Sequence, residues 1–350
     1  MSKPKILLFC ILVFSCFYIS AQDNKHILSD TVWTYAIKGY PSEIPLIDEK
    51  YIFTGADASP LVCLDKFTGK EKWKLTGRYD RGFIHTIRDD KEGNIYFNGM
   101  RNNIFSVKKS DGEHRWTYNC TFDDDIFSSI TIEDKVLFIN PAEPNFLALS
   151  TDGNLLWKRT LPDICLAYSI EKDRIYCQLK NGVYILNKAN GNVQTKIMND
   201  SVLKNRFPFP PVSIKNLLIV QRNDSIICHD KNERFRVLWT LKNVNALYYE
   251  HNSLYTYNDT LFQKADVRTG QVLWTLKGDF RWYIQPALHK TVLYLQTRYN
   301  FYIIDNETGK VYHHSPFRFK SYTKPVIDDD KIYLGFGGKY LCTKNPVVTK

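Results

Sequence analysis

The chain has 350 residues, 44% of them hydrophobic, with 47 basic and 37 acidic side chains and a formal net charge of +10. A chain of this length buries enough core to fold without disulfide staples, and no apolar run after Tyr18 is long enough to cross a bilayer. The positive charge does not point to nucleic acid, because the lysines are scattered and the chain carries an export signal.

That signal comes first. Lys3 and Lys5 precede an apolar run over 6–18, and Ile19-Ser-Ala21 stands before Gln22. This is the pattern of a cleaved secretory leader over 1–21. Lipidation of Cys16 is the alternative, which the bulky Phe14 fits poorly. Cleavage removes only Lys3 and Lys5 from the charge count, leaving a net charge of +8. The remainder, 22–350, reads as one domain, since a repeat runs nearly end to end without a Pro/Gly/Ser linker.

Trp33 opens the repeat, in Thr31-Val-Trp-Thr-Tyr35, with no strands of its own before it. Units then run over 42–73, 83–116, 126–157, 165–195, 211–239, 247–274 and 284–313, and 324–342 supplies three strands and stops. Runs such as Asn94-Ile-Tyr-Phe97 and Lys135-Val-Leu-Phe138 read as strands. Long helical periodicity is absent. Each unit closes on one phrase, clearest as Asp65-Lys-Phe-Thr-Gly69-Lys-Glu-Lys-Trp73. It returns at Gly112 to Trp116, Gly153 to Trp157, Gly270 to Trp274 and Gly309 to His313, with weaker copies at Gly191 to Thr195 and Asn232 to Trp239. A period of about 40 residues suits a four-stranded propeller blade. The unit that lacks its first strands and the unit that lacks its last complete each other. The sequence thus predicts an all-β, eight-bladed β-propeller closed by the N-terminal strand, which removes exposed sheet edges.

Within the phrase, Asp65 is placed to accept backbone N–H bonds in the turn, Thr68 more weakly, and Gly69 to take the left-handed conformation that closes a hairpin with a bulge. Alternation puts each tryptophan on the buried side of an outer strand, where its flat ring fills the gap between diverging sheets. These tryptophans are packing residues.

Six cysteines follow the leader: Cys63, Cys120, Cys165, Cys177, Cys228 and Cys342. Cys165 and Cys177 flank the turn Glu171-Lys-Asp-Arg174, but a hairpin centred there sets Cys177 opposite Tyr168 and leaves the pair staggered. Free buried thiols are expected.

The best copies, Cys63-Leu-Asp-Lys-Phe-Thr-Gly-Lys-Glu-Lys-Trp73 and Lys264-Ala-Asp266 to Trp274, resemble the repeat of the quinoprotein-type (PQQ-like) eight-bladed propellers. The resemblance covers most of 30–345. It implies one of two classes: periplasmic dehydrogenases that bind pyrroloquinoline quinone and calcium, or cofactor-free scaffolds of the outer-membrane assembly type typified by BamB. The chain lacks the long insertions and adjacent cysteine pair of the first class, and no Glu, Asn and Asp set stands out as a calcium site. Asp123-Asp-Asp125 and Asp328-Asp-Asp330 fall at strand-joining turns and read as solvated carboxylates. No cofactor and no metal are therefore expected.

No histidine shows metal-ligand spacing, and His313 stands where a packing tryptophan is due. No catalytic triad or phosphate loop is visible, and Gly335-Phe-Gly-Gly338 is a loop between strands. Arginine is distributed unevenly. Blade-to-blade loops and those between second and third strands share one propeller face, which receives Arg78, Arg81, Arg101, Arg206, Arg222, Arg281, Arg298 and Arg318. Tyr79, Phe207, Phe209, Phe280, Trp282, Tyr283, Tyr299, Phe317 and Phe319 accompany them, while the opposite turns carry Lys66, Lys70, Lys108, Lys109, Lys188 and Lys310. Arginine with exposed rings marks a binding surface suited to carboxylate or sulfate. The expected ligand-binding residues are Arg78, Arg81, Arg101, Arg222, Arg281, Trp282, Tyr283, Arg298 and Arg318.

The function expected from these features is a noncatalytic scaffold, monomeric and without a transmembrane segment, in the periplasm or at the outer membrane, that binds an envelope protein. The alternative is an acidic-polysaccharide binder or lyase using Arg281, Trp282 and Tyr283, with a quinone-dependent dehydrogenase behind both.

Overall fold

The structure, a computed structural model, describes residues 26–39, 41, 45–56, 58–76, 86–99, 103–120, 129–141, 143–198, 202–204, 209–281, 286–317 and 323–347. They form eight four-stranded antiparallel sheets, arranged as the blades of a propeller. Blades 1 to 7 span 46–74, 87–118, 129–160, 167–198, 212–242, 246–277 and 287–316. Blade 8 combines 326–344 with the strand Thr31–Ala36, whose Trp33 pairs with Cys342. First strands of neighbouring blades touch, as in blades 2 and 3 or 4 and 5, and so surround the axis.

The hairpin phrase folds as its residues dictate. Asp65 Oδ1 accepts from Thr68 N at 2.9 Å, Thr68 Oγ1 at 2.8 Å and Phe67 N at 3.2 Å. Gly69 has φ 68°, and the register slips by one residue between Cys63 and Leu64, the bulge that a left-handed glycine produces. The same turn recurs at Asp266 and Asp305. Each carboxyl is held below the ordinary range, at Asp305 to about 2, by its hydrogen bonds to turn donors, with Tyr312 adding the largest contribution at Asp305.

Blades meet through the tryptophans. Trp33, Trp73, Trp116, Trp157, Trp239 and Trp274 each lie on the turn glycine of the following blade: Gly69, Gly112, Gly153, Gly191, Gly270 and Gly309. Four of the indoles also donate Nε1–H to a backbone carbonyl there, at 2.9 to 3.2 Å. The blade interiors are filled by side chains such as Phe53, Phe138, Tyr176, Tyr255 and Tyr333, none more than 1% exposed.

Several lysines of the lower turns are clamps across the same joints. Lys66 Nζ reaches Asp328 of blade 8 at 2.8 Å, Lys109 reaches Asp48 of blade 1 at 2.8 Å, Lys188 reaches Glu133 of blade 3 at 2.9 Å, and Lys231 reaches Glu171 of blade 4 at 2.6 Å. Each joins the turn after a third strand to the end of the preceding blade's first strand. Asp328, expected as a solvated turn carboxylate, is one of these partners.

The sulfurs behave as the register predicts. Cys177 pairs with Tyr168, and all six cysteines of the described residues are free, five of them buried. Burial pushes the thiols of Cys63 and Cys120 up to about 12. No helix among the described residues is long and apolar enough to cross a membrane.

Candidate functional site

Of the nine expected binding residues, Arg222, Arg281 and Arg298 are described. Arg78, Arg81, Arg101, Trp282, Tyr283 and Arg318 lie outside the described residues, as does the leader expected over 1–21. Arg281 follows the outer strand of blade 6, and Arg298 sits between the second and third strands of blade 7. Folding brings these two loops together. With Asp259, Asp279, Thr297 and Tyr299 they line a cleft of about 450 Å³.

The electrostatics of the cleft are mixed. Arg281 is doubly bonded to Asp279, Nε to Oδ1 at 2.9 Å and Nη2 to Oδ2 at 2.7 Å. That fork holds the Asp279 carboxyl below its usual range and raises the Arg281 guanidinium above its own. The pair fixes the plane of an otherwise floppy exposed side chain. Arg298 lies over the Tyr299 ring, 5.2 Å from its centroid, and that ring is 38% exposed. A clamped arginine and an arginine stacked on an exposed tyrosine therefore share one opening. Arg222 is elsewhere: its Nη2 donates to Met198 O at 3.2 Å and it does not line the cleft.

The expectation of exposed rings fails at Phe209, Phe280 and Phe317, which are 5%, 1% and 6% exposed. Phe280 packs between Phe262 of blade 6 and Tyr302 of blade 7, and Phe209 meets the edge of Tyr257. A ring in a loop above diverging sheets buries more apolar surface by plugging the gap than by facing water.

A second cavity, also about 450 Å³, lies on the axis among the first strands of blades 2 to 6, with Lys324 of the blade 8 entry loop at its wall. Lys324 Nζ bonds Tyr248 Oη and Glu250 Oε1, the latter at 3.1 Å, and lies over the Tyr248 ring. Glu250 Oε2 accepts Leu288 N at 2.9 Å. Sequence reasoning missed this link between blades 6, 7 and 8, because nothing local marks a lysine whose partner is 74 residues away. Among the described residues, no three His, Cys, Asp or Glu side chains are grouped to hold a metal ion.

The fold matches solved propellers of low sequence identity. The crystal structure of BamB from Moraxella catarrhalis superposes with a TM-score of 0.68 at 9% identity, covering 90% of this chain and 99% of that one. The computationally designed Ika8 protein gives a TM-score of 0.74 at 13% identity, covering 90% of this chain and all of that one. No curated protein matches the sequence. The family model described as outer membrane protein assembly factor BamB matches residues 84–276, more than half of the chain, and the protein belongs to that family.

Proposed function

We propose that the protein is an exported, noncatalytic scaffold of the cell envelope that binds a protein partner through the cleft between blades 6 and 7. The observation that carries this reading is the pairing of Arg281 and Arg298 at one opening, on a chain of the BamB family. Arg281 is held by Asp279 before any partner arrives, so less side-chain entropy is lost on binding. Arg298 and Tyr299 add a flat, partly exposed surface of the kind enriched at interface centres. The segment recognised is one that offers carboxylates or carbonyl oxygens to the arginine forks.

The test is affinity capture from an envelope extract with tagged wild type, Arg281→Glu/Arg298→Glu, and Lys310→Glu on the opposite face. A partner recovered by wild type and Lys310→Glu but lost with the double variant supports the cleft. Equal recovery with all three overturns it.

A further inference from the structure

The axial cavity sorts its side chains by chemistry. Arg88 and Lys324 are the charged residues on its wall, and no carboxylate stands among the described residues that line it. The acids of the neighbouring first strands are engaged elsewhere. Glu171 binds Lys231 and Ser213 at the lower end of blade 4, and Glu250, which does not line the cavity, takes Lys324 Nζ and Leu288 N.

The first strands of blades 3 and 4 add the hydroxyls of Ser129, Thr131 and Ser169 to the same wall. Ser129 Oγ gives its hydrogen to Asn140 Oδ1 at 2.8 Å, which leaves it lone pairs to accept with, and Ser169 Oγ has no hydrogen-bond partner. Arg88 Nη1 donates to Ile87 O at 2.9 Å, anchoring a guanidinium whose planar fork matches a carboxylate. Beyond the two cations the axis changes character. Arg88 and Lys324 also border an adjoining opening of about 380 Å³, whose walls include Leu46, Ile47, Leu288 and Ile327. A hydroxyl-rich ligand is thus favoured on one side of them and not on the other.

We propose that the axial cavity binds a small polyhydroxylated carboxylate of sugar-acid size, with the carboxylate on Arg88 and the hydroxyls on Ser129, Thr131 and Ser169. Its volume of about 450 Å³ is that of a small-molecule site with a few convergent polar groups. A neutral sugar would leave the arginine fork unmatched, and an apolar molecule would leave the Ser169 hydroxyl unpaired. Lys324 is a positioning residue here: tied to Tyr248 and Glu250, it closes the wall between the two openings. The site is separate from the cleft between blades 6 and 7, since no residue lines both.

Isothermal titration calorimetry on the purified full chain, with glucuronate, gluconate, glucose and pyrroloquinoline quinone as ligands, tests this. Both acids are expected to bind with a dissociation constant of about 1 mM or below, and glucose about tenfold more weakly or worse. Arg88→Gln is expected to weaken glucuronate by about tenfold or more through loss of the charge-assisted fork. Thr131→Val, which keeps the side chain's shape, is expected to weaken it by about threefold and reads the site even if Arg88→Gln does not fold. Arg281→Glu/Arg298→Glu should leave glucuronate binding unchanged, which separates this site from the cleft. Failure of both acids to bind, equal affinity for glucose, binding that survives Arg88→Gln or is lost with the cleft variant, or saturable binding of the quinone alone overturns the assignment.

Discussion

Trp33 and Gly69 close the ring: a Cβ added at Gly69 would stand 2.6 Å from Trp33 Cδ2, inside the contact distance of any real side chain. The glycine of each phrase thus answers two demands at once, a positive φ for its own turn and space for the indole of the blade before it.

The second demand predicts a cost beyond backbone strain. Gly112 has φ 76° and lies under Trp73, with a Cβ there 2.8 Å from Cε3. Gly112→Ala is expected to destabilise the protein by about 2 kcal/mol or more, the sum of a strained turn and an overpacked joint. Urea unfolding followed by tryptophan fluorescence measures it. An unchanged midpoint would show that the joint yields freely.

One joint reverses the arrangement. Blade 4 carries Thr195 opposite Ile185, where six of the other blades place tryptophan and blade 7 places His313. In the following turn no glycine is found: Arg234 and Phe235 take φ 50° and 60°, and Phe235 packs on the cluster that contains Tyr176, Ile185 and Leu218. The large ring comes from the second blade instead of the first. Phe235→Gly is expected to cost about 2 kcal/mol through the void it leaves, somewhat less than a fully buried phenylalanine. Thr195→Trp alone is expected to destabilise by overpacking, and the double variant by less than the two summed. Additive losses would mean that the positions do not share one volume.

The lysine clamps give a pH dependence. Lys231 Nζ lies 2.6 Å from Glu171 Oε2 and 2.8 Å from Ser213 Oγ. Burial pushes the Glu171 carboxyl up, but the bonds from Lys231 and Ser213 outweigh it, and the group titrates below its ordinary 4.5. A depressed carboxylate stabilises the fold above that value, and the contribution drains away as pH falls through the folded one. Lys231→Met is expected to cost about 1 kcal/mol at pH 7, since the pair is only partly screened by solvent. The gap from wild type should shrink toward pH 3.5. Urea midpoints at both pH values check this, and a gap that widens in acid contradicts the clamp.

The amino-acid sequence by itself determined the hairpins, the number of blades and the way the ring closes. These follow from contacts inside one turn or one strand pair: an aspartate capping its own turn, a glycine at positive φ, Cys177 opposite Tyr168. Such contacts repeat in register, so eight imperfect copies reinforce a single reading. Only the tertiary structure decided which loop side chains face water. Phe280 and Arg281 are adjacent in the chain, yet one plugs the gap between blades 6 and 7 and the other lines a cleft with Arg298. Likewise the partners of Lys66 and Lys324 come from blades distant in sequence. The physical reason is that burial and ion pairing depend on what a neighbouring blade presents across the joint, and no local spacing encodes that.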